Sequence, residues 1–230
     1  MNANSYPLTP YSRRWQAMAE LLLAVARGWH YWTSGSLSPD SAQNLAQKLD
    51  ARFNGLMHYS LTDHQSDGRK KRHQPRPRLM FIETRSGNVL WFLLSDMPEL
   101  PGERLQDARD KHQRLRFAER YELVRMTKPI SIGGGQNWTW RYVREVFAQH
   151  VADGTRFAAH ESPKQAQRLI DYLATDPGFS GLRTQRRQLF WKMERVRNRQ
   201  KPGRETLRIP PLPYITPTTF VHKRTLVTNP

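Results

Sequence analysis

The chain has 230 residues, of which 37 are Lys or Arg and 20 are Asp or Glu, and its formal net charge is +17. It has no cysteine, which excludes disulfide bonds, thiolate zinc sites and a cysteine nucleophile. The apolar run at 17–26 is too short to cross a bilayer, and no signal-peptide cleavage pattern follows it. We therefore expect a cytoplasmic protein with no membrane partner.

The N-terminal part, 1–66, is predicted to be helical. Apolar residues recur at helical spacing from Trp15 to about Tyr31, with Ser12 as the N-cap. Ser38 precedes a proline and begins a second helix with the same kind of spacing. We expect these two helices to pair through their apolar faces.

The stretch 67–78 is predicted to be a linker or a basic arm. It contains no apolar residue in twelve positions, and it has two prolines. A flexible basic arm can reach along phosphates without choosing a sequence, and a merely solvated loop is the alternative. The candidate nucleic-acid-binding residues in this stretch are Arg69, Lys70, Lys71, Arg72 and Arg76.

The segment 79–160 is predicted to be an α+β core. Two apolar runs within 79–94 flank a Gly-Asn pair, which is typical of a β-hairpin with at least one central strand. The charged stretch 104–119 favours a partly exposed helix. Residues 121–127 alternate in polarity and predict a further strand.

Two features within residues 133–142, a run of glycines and a group of aromatic residues, each allow two interpretations. Gly133-Gly134-Gly135 could hold a phosphate on main-chain N–H groups, but the run lacks a P-loop ending, which favours a flexible loop. The aromatic residues at 138–142 could stack on unpaired bases beside Arg141 and Arg144, although alternating tryptophans favour a core position. Arg141 and Arg144 are candidate nucleic-acid-binding residues. Whether this segment is a strand or the start of a helix is left open.

The last third of the chain carries a concentrated positive charge. Residues 161–200 predict a basic helix-hairpin whose second helix has Leu189 and Met193 on its apolar face. Between 183 and 208 there are ten Lys or Arg and two acids, which favours contact with a polyanion over a solvated face. Residues 201–230 are rich in proline and predict an extended tail. The candidate nucleic-acid-binding residues here are Arg183, Arg186, Arg187, Lys192, Arg195, Arg197, Arg199, Lys201 and Arg204.

No catalytic or metal-binding pattern accompanies this charge. The eight histidines include no His-x-His pair and no His-Glu-x-x-His run, and no metal or other cofactor is predicted. A metal-independent RNase needs only one histidine with a nearby cation. A catalytic histidine is therefore left open.

Three C-terminal stretches, 137–142, 176–183 and 210–214, resemble basic accessory proteins carried by bacterial conjugative plasmids and integrative elements. The resemblance covers about the C-terminal half, and it rests on aromatic and glycine positions. It implies a role in replication, maintenance or transfer of mobile DNA. It carries no site residue and implies no particular activity.

These observations together predict an α+β protein in one compact domain, with a helical N-terminal part, a small antiparallel sheet and a basic helical C-terminal part that ends in the extended tail. The expected function is non-catalytic binding of nucleic acid, DNA rather than RNA. A homodimer or a larger nucleoprotein complex is left open. The alternatives are a metal-independent RNA-processing nuclease of the CRISPR type and an interaction module that docks its basic helix on an acidic partner.

Overall fold

The computed structural model shows an α+β fold, as the sequence predicts. It divides the chain into two compact units, Met1–Leu115 and Arg116–Pro230, instead of one domain. The boundary lies inside the segment 79–160 that was predicted to be a single core, because the two β-sheets belong to different units. The residues that the structure describes are 14–53, 63–84, 86–127, 130–160, 162–200 and 206–215.

The first unit is built around a four-stranded antiparallel sheet. Its elements are α1 (Arg14–Ala26), β1 (Tyr31–Leu37), α2 (Pro39–Arg52), α3 (Asp63–Lys71), β2 (Arg78–Glu83), β3 (Val89–Ser95) and β4 (Gln106–Asp107). The strands lie in the order β2-β3-β1-β4. The predicted hairpin is confirmed, since β2 and β3 pair with Phe81 opposite Trp91. Strand β3 is central because β1 pairs along its other edge.

The first helix ends earlier than predicted. Gly28 has a φ of +109°, a conformation that favours glycine and cannot continue a right-handed helix. Helix α1 therefore stops at Ala26, and the aromatic residues after the turn form β1, in which Tyr31 lies opposite Ser95. Aromatic side chains suit the half-buried surface of a sheet, which outweighs the helical spacing here. The predicted N-cap, Ser12, lies outside the described residues.

Helices α1 and α2 pack on the sheet and do not form the expected pair. Ser38 caps α2 as predicted, with its Oγ accepting a hydrogen bond from the main-chain N–H of Ser41 at 3.3 Å. Leu49 of α2 then packs with Phe81 and Leu93 of the sheet, in a cluster of described residues that includes no residue of α1.

Helix α1 contacts the other face of the sheet. Arg78 of β2 donates to Glu20 Oε2 of α1 at 3.0 Å. Because neighbouring residues of a strand point to opposite faces, Arg78 projects away from the face of Leu79, which belongs to the α2 cluster. The sheet thus lies between the two helices.

The basic stretch 67–78 is not an arm along its whole length. Its first residues belong to α3, which ends in a Schellman motif: the N–H of Gln74 donates to Arg69 O at 3.0 Å, and the N–H of His73 donates to Lys70 O at 3.2 Å. His73 takes the left-handed conformation that this motif needs, with a φ of +51°. Lysine and arginine are good helix formers and are favoured in the last turn, where they oppose the helix dipole.

The predicted helix at 104–119 is absent from this described stretch, which contains turns and two short strands. Asp107 Oδ1 accepts from the N–H of Arg109 at 2.9 Å, and Asp110 Oδ1 accepts from the N–H of His112 at 2.9 Å. Each carboxylate binds a main-chain N–H two residues ahead, which competes with helical hydrogen bonding. Local side-chain bonding thus outweighs helix propensity here.

The second unit combines a three-stranded antiparallel sheet, in the order β5-β6-β7, with helices. Its elements are β5 (Arg116–Phe117), β6 (Tyr121–Thr127), a 3-10 turn (Ile130–Ile132), β7 (Gln136–Tyr142), α4 (Arg144–Ala159), α5 (Lys164–Ala174) and α6 (Ser180–Gln200). The strand predicted at 121–127 is confirmed as β6, and the open question at 138–140 is resolved as a strand.

Helix α6 packs against β7 and α4. Thr139 Oγ1 of β7 accepts from the N–H of Gly181 at 3.0 Å, at the start of α6. Gly154 of α4 allows a close approach, because a Cβ there would lie 2.9 Å from Leu189 Cδ1. The position and rotation of α6 are therefore set by its neighbours.

In the described ranges, no helix is both long and apolar enough to span a bilayer.

Candidate nucleic-acid interface

Helix α6 has one buried face and one exposed face. Leu182, Leu189 and Met193 are buried, which confirms the predicted apolar face. On the opposite side, exposed positions recur every three or four residues, the spacing of one helix face. The exposed residues are Ser180, Thr184, Arg187, Gln188, Trp191, Lys192, Arg195, Asn198 and Arg199.

The exposed face carries four cations, Arg187, Lys192, Arg195 and Arg199, which we call the basic stripe. The described part of the chain places no carboxylate in an ion pair with any of them. Glu194 is the only acid within α6. The stripe is therefore a region of uncompensated positive charge, which attracts anions.

The structure corrects the prediction that Arg186 and Arg197 contact nucleic acid. Both are buried, at 0% and 2% exposure. Arg186 donates to the carbonyl oxygens of Leu173 and Asp176 at 2.8 Å and of Pro177 at 3.0 Å, at the end of α5. Arg197 donates to His160 O at 3.2 Å, at the end of α4. These arginines satisfy carbonyl groups that helix ends leave open, and they do not face solvent.

The other candidate nucleic-acid-binding residues of the second unit differ in their exposure and in their partners. Arg183 is half-buried and lies over the ring of Tyr214 at 4.6 Å. Arg141 is paired with Glu122 at 2.6 Å, which neutralises its charge. Arg144 is exposed at the start of α4. Lys201 and Arg204 lie outside the described residues.

The candidates of the first unit separate into internal and exposed groups. Arg69 donates to Pro75 O at 2.7 Å, and burial lowers the pKa of its guanidinium from its ordinary value. Arg76 is paired with Asp96 at 2.6 Å and lies over the ring of Trp29 at 4.6 Å. The exposed members are Lys70, Lys71 and Arg72, at the end of α3. A second cluster of available cations thus exists on this unit.

The aromatic residues at 138–142 belong mainly to the core. Trp140 and Tyr142 are buried, as the favoured interpretation predicts, and Trp138 lies under the guanidinium of Arg125 at 4.9 Å. The aromatic residue that the sequence interpretation missed is Trp191, which is 60% exposed within the exposed face of α6. Its spacing could have revealed it, because Trp191 is four residues from both Arg187 and Arg195.

The three glycines at 133–135 form an open loop. All three have positive φ, between +59° and +93°, and a Cβ at any of them would meet no atom within 4 Å. They lead into the strand β7, so no helix N-terminus stands beside their N–H groups to strengthen a phosphate site. The geometry agrees with a turn and supplies no helix N-terminus.

A buried polar network fastens the α5–α6 turn to the sheet. Asp176 accepts hydrogen bonds from Tyr121 Oη at 2.7 Å, Tyr142 Oη at 2.6 Å and Arg120 Nη2 at 2.7 Å. Burial, followed by the charge of Asp176, raises the pKa of Tyr142 above its ordinary value. His150 packs edge-on against Tyr142, with ring centroids 5.2 Å apart. Since its members bond to one another inside the unit, the network is suited to holding the fold.

Within the described ranges, no group of three or more His, Asp or Glu side chains is arranged to hold a metal ion. Comparison with protein-family models, with curated proteins and with solved structures found no match to this chain. The chemistry of the described surface, and its charge above all, is therefore what points to a function.

Proposed function

We propose that this protein binds nucleic acid through the basic stripe of α6, with DNA as the expected target. The observation that carries the proposal is the set of four exposed cations on one helix face with no ion-pair partner in the described residues. Nucleic acid presents regularly spaced negative charge, and cations that neutralise phosphates release bound counterions on binding. The resemblance to accessory proteins of mobile elements suggests a role in replication, maintenance or transfer of DNA.

Anchoring of α6 supports this proposal. The helix is held by Thr139 at its start, by Arg186 in its first third and by Arg197 near its end. Its exposed cations are therefore presented from a fixed backbone, so binding does not have to order the helix first. Preorganised charge loses less free energy on binding than a flexible arm does.

The nuclease alternative lacks an accessible catalytic histidine at the polar network. His150 lies near the cation of Arg120, as a metal-independent nuclease would require. Its Nε2 is buried and has no hydrogen-bond partner in the described structure. His150 is therefore not available as a general base, and we propose binding without cleavage, which the incubation with labelled RNA tests.

The proposal is tested by measuring affinity as a function of salt. If the four cations of the stripe each neutralise one phosphate of a duplex, the logarithm of affinity should fall with a slope of about −3.6 against the logarithm of salt concentration. Between 50 and 200 mM salt, affinity should fall about 150-fold. Replacing Arg187 and Arg199 by Ala should reduce the size of the slope by about two units.

The matched control removes the same charge elsewhere on the unit. Lys164 and Arg168 are exposed on α5, outside the stripe. Their double replacement by Ala should leave the slope unchanged. Equal losses from both double variants would show that net charge, and not the stripe, determines binding. Labelled RNA incubated with chelator should remain intact, and its cleavage would favour the nuclease.

A further inference from the structure

An exposed tryptophan lies in the middle of the basic stripe. Trp191 is 60% exposed, and Arg187 and Arg195 lie one helical turn before and after it, about 6 Å away along the axis. The guanidinium of Arg195 lies 5.2 Å from the indole centroid. A large apolar ring is thus presented together with positive charge.

This combination does not suit an apolar protein partner. Burying Trp191 against an apolar surface would also desolvate the neighbouring cations without giving them partners, which is costly. A nucleic acid strand with unpaired bases supplies phosphates for the cations and a flat π-face for the indole. A duplex supplies the phosphates, but its bases are already stacked on one another.

A second exposed ring lies near the start of the same helix. Tyr214, in the segment 206–215, is 62% exposed, and Arg183 of α6 lies 4.6 Å from its ring centroid. The segment is held there because the N–H of Ile215 donates to Gly178 O at 3.2 Å. Arg183 precedes Trp191 by eight residues, so the two rings are associated with points on α6 about 12 Å apart. Arg187 lies between those points.

We propose that the exposed face of α6 binds single-stranded DNA, with Trp191 as the main stacking platform, Tyr214 as a second one, and the basic stripe on the phosphates. This proposal rests on the proposed function, because the same cations carry both. It specifies the form of the target, an unpaired strand, which charge alone does not determine.

The experiment measures fluorescence anisotropy of a labelled oligo-dT strand and of a labelled duplex of equal length, at fixed salt. Base stacking on an aromatic ring contributes about 1–3 kcal/mol by alanine substitution, so Trp191→Ala should weaken single-strand binding about 5- to 150-fold. Duplex affinity should change less than about twofold. Trp191→Phe should recover part of the loss, whereas Trp191→Leu, which keeps an apolar side chain without a π-face, should not. Tyr214→Ala should give a smaller loss for the single strand only.

Several outcomes would overturn the inference. If Trp191→Ala leaves single-strand binding unchanged while the salt slope of the wild type persists, the proposed function stands and the stacking role is wrong. If the wild type binds neither DNA form, the proposed function itself fails. Tighter binding of an RNA strand of matching sequence would contradict the choice of DNA. Because Trp191 is exposed, its variants should melt within about 2 °C of the wild type, which separates loss of binding from loss of folding.

Discussion

The sharpest test of the buried and exposed charges of α6 compares two neighbours, Arg186 and Arg187. Arg186 is fully buried and serves three carbonyl oxygens, whereas Arg187 is exposed. Each buried acceptor left without a donor costs about 1–3 kcal/mol. Leu173 O keeps the N–H of Asp176 at 3.2 Å, so Arg186→Ala leaves the carbonyls of Asp176 and Pro177 without their donor. Water can reach part of the vacated space, so we expect Arg186→Ala to lower the free energy of unfolding by about 3–5 kcal/mol.

A loss of that size should lower the melting temperature by about 6–20 °C in a chain of this length. Arg187→Ala should remain within about 0.5 kcal/mol of the wild type, but it should reduce the salt slope of duplex binding by about 0.9. Both variants remove one positive charge, so each is the control for the other. The assays are a thermal melt by circular dichroism and a salt-titrated binding curve well below the melting temperature.

Arg186→Ala should therefore lower the melting temperature and keep the salt slope, whereas Arg187→Ala should keep the melting temperature and reduce the salt slope. The reasoning would be refuted if Arg186→Ala melted within about 2 °C of the wild type, or if it reduced the salt slope as much as Arg187→Ala. Arg186→Lys adds a further check. An ammonium group cannot reproduce the fork of a guanidinium on three carbonyls, so this variant should be destabilised although its charge is kept.

Two further predictions concern the tail and the histidine of the polar network. A Cβ at Gly178 would lie 2.1 Å from Pro213 O, so Gly178→Ala should displace the segment 206–215 and speed its proteolysis. Gly68→Ala, with no atom closer than 3.8 Å to the new Cβ, should leave proteolysis unchanged. Burial, followed by the charge of Arg120, lowers the pKa of His150. The unfolded histidine takes up a proton near pH 6.5, whereas the folded one does so only at a lower pH. Stability should therefore fall as the pH drops below about 6.5. The urea midpoint should therefore fall less between pH 7.5 and 5.5 in His150→Phe than in the wild type, and equal falls would contradict this reasoning.

Local patterns in the sequence were sufficient for the hairpin β2–β3 and for the apolar face of α6. Both depend on periodicity, which the chain shows over short stretches. The prediction that Arg186 contacts nucleic acid is wrong. Its spacing indicates burial, because Arg186 lies four residues after Leu182 and four residues before Phe190. Its partners, the carbonyl groups at the end of α5, depend on how the turn folds, and no periodicity reveals them.

Composition misled the interpretation at two charged stretches, in opposite directions. Residues 67–71 lack apolar side chains and yet belong to a helix, whereas 104–119 has helix-forming residues and yet forms turns. In each case main-chain hydrogen bonding decided the structure: a Schellman motif closes α3, and Asp107 and Asp110 bind N–H groups two residues ahead. Trp191 lies four residues from Arg187 and from Arg195, and this spacing is the one sequence signal of its exposure, because a tryptophan on a helix is more often part of the core.

The anchoring of α6 has a consequence for the heat of binding. Segments that fold as they bind bury large apolar areas and show a strongly negative heat-capacity change. Helix α6 is already fixed to β7, α5 and α4 through Thr139, Arg186 and Arg197. Calorimetry over a range of temperatures should therefore show a small heat-capacity change when nucleic acid binds to the basic stripe, as expected for a rigid surface that does not refold on binding.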